Sequence, residues 1–388
     1  MFGVLRISTA AAVLVGTALV TPGVAVADGP TVIELESLGG GQSGARDIND
    51  KGAAVGFADT GTGERHAVRW DSRGRIIDLG TLGHRGSEGN QINATGMVAG
   101  TVDLGEARHQ AARWDRFGNG TLLELLHPGE QSDVSDISDT GIVVGNATSP
   151  DLDRWSFHAV RWERDGSVVD LGLSDVDSGA EAVNNAGTTV GWTYLPDTSV
   201  RAVRWDRDGT TTYLDQLPGT TSSYAFDIND RGEIVGTAYA PDRTRAVRWD
   251  AAGRVTELGV LPGGRSSVAQ AVSEDGTVVG NSTVDDQHES YSAVRWNPDG
   301  TMTDLGAQLP GERSVAHGIN DAGTIIGESG VDTLDSYAVR WDASGNVVEL
   351  PPLAGGTAGT ALAINDSGTI AGWSDKNEVW FRAVLWVE

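Results

Sequence analysis

Cysteine is absent from the 388 residues. Disulfides therefore cannot hold this fold together, and no thiolate is available to bind a metal or attack a substrate. Lysine is nearly absent as well, with only Lys51 and Lys376. Altogether 28 basic side chains face 54 acidic ones, for a formal net charge of −26. Duplex nucleic acid is excluded as a partner, because non-specific binding rests on basic side chains that neutralise phosphates. Anionic membrane surfaces are disfavoured on the same ground, and strong acidity instead favours solubility. Catalytic signatures are missing too: there is no G-x-S-x-G, P-loop or H-E-x-x-H, and no two of the seven histidines are spaced as a zinc pair. Gly39–Gly44 fits the dinucleotide pattern G-x-G-x-x-G, but no helix pattern follows it, so the phosphate-binding reading fails.

One apolar run stands out. Residues 1–27 carry a single basic residue, Arg6, an apolar stretch from Ala10 to Val20, and the small-residue ending Ala25-Val26-Ala27. This is the layout of a cleavable secretory signal, and the run is shorter than the roughly 20 residues a bilayer needs. The expectation is cleavage after Ala27, export, and a secreted monomer. Residues 28–388 then form one domain whose stability must come from a large core.

That domain is periodic. Ala-Val-Arg-Trp or a near variant ends at Trp70, Trp114, Trp162, Trp205, Trp249, Trp296, Trp341 and Trp386. Upstream of each lies an Ile-Asn-Asp-x-Gly-like element, such as Ile48-Asn49-Asp50 and Ile228-Asn229-Asp230. Downstream of most comes an acid followed by Leu, as in Asp78-Leu79 and Glu257-Leu258; the fourth copy has Tyr213-Leu214 instead. Each copy reads as four short strands, a to d, rich in β-branched residues and separated by Gly, Asn and Asp turns. In the fifth copy these are Tyr224–Ile228, Glu233–Ala238, Arg245–Trp249 and Arg254–Leu261. Strands a and b are apolar on both faces, as sheets packed on two sides require.

Eight four-stranded repeats of about 45 residues point to a radial assembly. The expected fold is an all-β, closed eight-bladed β-propeller of antiparallel blades. Val32–Leu38 reads as a d-type strand preceding any a, b or c strand, and Phe381–Val387 reads as a strand c with no d after it. The first segment should therefore complete the last blade and cover its edge. An open β-solenoid is the alternative, but it needs capping ends that are not visible.

These repeats resemble the HAF-repeat family, predicted extracellular proteins of bacteria, most closely at Val315-Ala316-His317-Gly318-Ile319-Asn320. The strand order is similar to that of kelch propellers, without their paired Gly after strand b. The resemblance implies architecture and an extracellular setting, and supplies no catalytic residues.

The eight repeat tryptophans read as core between blades. Arg69 is expected to face Asp78 across the c–d hairpin, with the same pairing in most blades; Leu385 breaks it in the eighth, leaving Glu34 without its Arg. Function should lie where copies differ, on the b–c and d–a loops of one face. There the third copy holds Asp151, Asp153, Trp155, Phe157 and His158, and the fourth holds Trp192 and Tyr194. The sixth holds Asp285, Asp286, His288, Glu289 and Tyr291, and the eighth holds Trp373, Asp375, Trp380 and Phe381. Aromatic faces stack on sugar rings while neighbouring acids accept from hydroxyls. The tentative ligand site is thus Trp155, Trp192, Tyr194, Trp373, Trp380, Asp151 and Asp153. Its main part is expected at blades three and four, as one site spanning the channel mouth or as two patches; covering blade ends is the bland alternative. The expected role is a ligand-binding or scaffold module for an extracellular glycan or protein. A carbohydrate-active hydrolase or lyase using loop-face carboxylates is the alternative. No cofactor is required, although the acidic loops could hold Ca²⁺, which takes six to eight oxygens.

Overall fold

A computed structural model describes residues 29–149, 156–172, 176–285, 290–306, 313–330, 336–376 and 380–388. The leader expected at 1–27 lies outside them. The chain forms eight four-stranded antiparallel sheets, each in the order a-b-c-d. The strands a of neighbouring blades approach one another, which places them innermost around a channel. The a–b and c–d turns therefore share one face, and the b–c and d–a connections share the other.

The last blade is completed from the N-terminus. Thr31–Glu34 pairs with Trp380–Val387, with Val32 opposite Trp386 and Glu34 opposite Val384. Leu35 continues the pairing through its N–H to the Ala383 carbonyl and joins the cluster around Trp70. This is the closure the sequence predicts, with the regular strand ending at Glu34 rather than Leu38. The alternative of an open solenoid is excluded.

Packing between blades explains the repeat. Among the described residues the core divides into eight clusters, each with one repeat tryptophan wedged between two sheets. All eight of these tryptophans are at most 2% exposed. Burying an indole of this kind is worth several kcal/mol, and truncation to Ala typically costs about 3–5 kcal/mol. In six blades the indole N–H also reaches a backbone carbonyl on the chain leaving the previous blade, as Trp70 does to Glu36 and Trp249 to Asp215.

Polar belts run around the ring. In the a–b turn, the Asn229 Oδ1 accepts from the Arg231 and Glu233 amides, while its Nδ2 donates to the Ser273 carbonyl of the next blade. Gly232 closes that turn at φ 78°, a region that favours glycine. The belt is continuous across the closure, where Asn365 Nδ2 donates to the Asn49 carbonyl. A second belt uses a buried serine in strand a. Ser43, Ser87, Ser132, Ser178, Ser223, Ser267 and Ser314 each accept from the strand-c alanine amide of the preceding blade.

The arginine of Ala-Val-Arg-Trp does not pair with the acid of strand d. Asp78 lies in register with Val68, on the face of His66 and Trp70, whereas Arg69 points from the opposite face. Arg69 instead donates to the Gly96 and Arg116 carbonyls of the next blade, both at 2.9 Å. Arg113, Arg161, Arg204 and Arg295 reach the following c–d turn in the same way. Asp78 is bound by the His66 ring at 2.9 Å, and Asp170 by His158. Glu34 is not orphaned either, because Lys376 at 2.6 Å and Arg382 at 3.7 Å hold it.

Candidate functional site

Strand a is interrupted by a β-bulge in every blade, after Ala45 in the first and after Ala225 in the fifth. A bulge breaks the alternation of faces and re-aims side chains. Ala225 and Ile228 turn to the core, while Tyr224 and Phe226 stay partly exposed. The variable positions of strand a thus stay off the core and partly open to solvent.

At blades four and five these positions assemble an aromatic cluster. The Trp192 ring lies 5.9 Å from Tyr194 and 5.9 Å from Tyr224. Tyr224 stacks on Phe226 at 6.5 Å and meets Tyr239 edge-on at 5.6 Å. Gly179 makes room for the indole: a Cβ there would come within 2.7 Å of the Trp192 ring. The indole N–H then donates to Glu181 Oε1 at 2.9 Å. Tyr194 and Tyr239 are each 37% exposed, so the cluster presents ring surface to solvent. Burial and the neighbouring phenols raise the Tyr224 hydroxyl above its usual pKa.

A second aromatic patch sits at the closure. A pocket of about 270 Å³ is lined by Gly44, Arg46, Phe57, Leu362, Trp373 and Phe381. Trp373 and Phe381 meet edge-on at 4.6 Å, and the Arg65 guanidinium lies 4.0 Å over the Phe57 ring. Arg46 and Arg65 both bind Glu88 of blade two.

The opposite mouth of the channel is acidic. Asp50, Asp139, Asp230, Glu274, Asp321 and Asp366 crown the a–b turns, and each accepts from an amide of the preceding blade's turn. Below them Asp47, Asp136 and Asp227 each accept two backbone amides, one from the next blade. Burial in the channel wall dominates their titration. It pushes Asp47 up to about 7 and Asp136 to about 6, and it raises Asp227, against the lowering effect of the amide bonds. Among the described residues no group of three His, Asp or Glu side chains is placed to hold a metal ion.

Of the residues singled out in the sequence, Asp151, Asp153 and Trp155 lie outside the described residues, as do Asp286, His288 and Glu289. The backbone of Trp380 is in strand c of the last blade, and its side chain lies outside the description. Trp192, Tyr194 and Trp373 are described and half-buried or exposed, yet they sit in strand b rather than in loops. Phe157, His158, Tyr291 and Phe381 likewise belong to strands. Asp375 is buried and caps the d–a loop, accepting from the Thr357 and Ala358 amides. Trp192 and Trp373 are not brought together; they stand four blades apart. Sequence reading missed Tyr224, Phe226 and Tyr239. The signal was present, since the fifth strand a carries two rings where the fourth has Gly179 and Glu181.

No protein-family profile matches this chain, and no curated protein sequence matches it. Solved structures similar to it are propeller-containing proteins. Puromycin hydrolase matches at 14% identity and TM-score 0.52, over 88% of this chain and 62% of that one. Dipeptidyl peptidase 4 of Porphyromonas gingivalis matches at 11% and 0.54, over 89% and 59%. The β-propeller domain of the Trilobed protease from Pyrococcus furiosus matches at 12% and 0.51, over 80% and 98%. This chain thus spans about three fifths of the two larger enzymes and nearly all of the isolated propeller. At such identity the likeness shows the fold alone. The class is an eight-bladed β-propeller closed by its N-terminal strand.

Proposed function

We propose that this protein is a secreted binding module whose ligand, a glycan, stacks on the aromatic cluster of blades four and five. The carrying observation is the contiguous set Trp192, Tyr194, Tyr224, Phe226 and Tyr239, placed at positions the repeat leaves free and partly open to solvent. Flat rings supply stacking area at low conformational cost, and Tyr hydroxyls with Glu181 supply hydrogen-bonding partners. Glycosidic cleavage would call for paired carboxylates on either side of a scissile bond. The carboxylate bonded within the cluster, Glu181, is already engaged by the Trp192 indole, which favours binding over hydrolysis or lysis. The HAF-repeat resemblance and the leader-like residues 1–27 support an extracellular setting.

A glycan array probed with the wild type and with Trp192→Ala and Tyr239→Ala tests this. Saturable signal that falls at least about tenfold in both variants, without release of reducing ends or unsaturated sugars, is the expected result. Equal signal in all three proteins overturns the site. Product release overturns the non-enzymatic reading.

A further inference from the structure

We propose that the two aromatic patches act together on one extended, neutral polysaccharide laid across the mouth of the channel. This rests on the binding reading above and deepens it. Trp192 and Trp373 occupy the same position of the repeat. Each follows the strand-b glycine, Gly191 or Gly372, and each pairs in register with the strand-c alanine, Ala202 or Ala383. In the other blades that position carries Phe57, Thr101, Asn146, Thr237, Asn281 and Glu328. Tryptophan recurs after four blades of eight, so the two indoles are half a turn apart around the ring.

The patches have complementary shapes. At blade five Tyr224 fills the strand-a position beside the indole, giving a raised platform. At the closure the corresponding residue is Gly44, and a pocket remains. One end of a chain can stack on the platform while the other seats a ring between Trp373, Phe381 and Leu362. Leu362 is 41% exposed and Phe381 45%, so the pocket opens to solvent. Charge selects the ligand. Arg46, the cation lining the pocket, is bound to Glu88, and the whole chain carries −26, so an anionic polymer is repelled where a neutral one is not. Two sites linked through one ligand convert the second contact into an intramolecular event, which raises affinity by about 10²–10⁴-fold once the chain can span them.

The test is a titration with oligosaccharides of graded length, from disaccharide to dodecasaccharide. They are drawn from whichever neutral homopolymer among a glucan, a mannan and a xylan gives the strongest array signal. The wild type is compared with Tyr239→Ala and Phe381→Ala, with melting curves to establish folding. Should either variant fail to fold, Tyr194→Ala and Leu362→Ala remove ring and alkyl surface at the same two patches. The expected result is a step of about 100-fold in affinity beyond a threshold length, absent from each single-patch variant, while disaccharide binding at the intact patch persists. A smooth rise without a step, or a step that survives loss of one patch, overturns the shared ligand and leaves the platform as a site. No binding of any oligomer to the wild type overturns both.

Discussion

Asn365 illustrates what single residues do in this ring. It is 3% exposed, its Oδ1 accepts the Thr369 amide and its Nδ2 crosses to Asn49. Asn365→Ala leaves a buried carbonyl and a turn amide unpartnered, so a loss of about 1–3 kcal/mol is expected from urea unfolding. An unchanged midpoint would show that the belt contributes nothing at the closure. The channel carboxylates predict a pH dependence of defined sign. Asp47, held up to about 7 in the fold against an ordinary 3.8, binds a proton more tightly when folded. Its contribution is fully present below about pH 4 and is lost as pH rises through 7. Asp136 follows, with its loss complete near pH 6. The melting temperature should therefore fall between about pH 4 and 7, and Asp47→Asn, which removes the charge, should flatten that slope. Parallel slopes in the two proteins would assign the whole trend to general repulsion among the acids. The tryptophan spacing made the inter-blade core legible in the sequence. The arginine partners were not legible, because they are backbone carbonyls on the next blade, some 47 residues away for Arg69 and Arg116.

At the scale of strands, the N-terminal segment matters most. Thr31–Glu34 covers an otherwise open edge, and the segment that follows places Leu35 in a core cluster and the Glu36 carbonyl under the Trp70 indole. Removing residues 29–38 strips an edge, a core leucine and an indole partner at once. Far-ultraviolet circular dichroism of the truncated chain should show global loss of β-structure and not local fraying. A truncated protein that melts like the longer chain would contradict closure by this strand. Strand order and turns could be read from period and composition, since Asn, Asp and Gly mark each a–b turn. The strand-a bulge could not, because it depends on the register between strands a and b. For that reason Tyr224 and Phe226 went unrecognised as surface rings, whereas Trp192 and Trp373 were placed in loops because strand b runs on past its apolar start, to Tyr194 and Lys376.

Across the whole molecule, the proposed recognition surface and the core use different residue classes. The eight repeat tryptophans are sealed between blades, and the rings at blades four and five and at the closure decorate a ring already complete without them. The acidic mouth and the aromatic mouth lie on opposite faces, so a neutral ligand has one face to choose. The melting curve of Trp192→Ala, recorded with and without the neutral glycan that binds the wild type, tests this separation most directly. Without ligand the variant should melt close to the wild type. At a hundredfold excess over the wild-type Kd the wild type should gain about 2.7 kcal/mol of stability while the variant, left with the closure patch alone, gains only a few tenths of that. A variant that unfolds on its own, or that retains the full ligand-induced shift, would contradict the account and return Trp192 to the core.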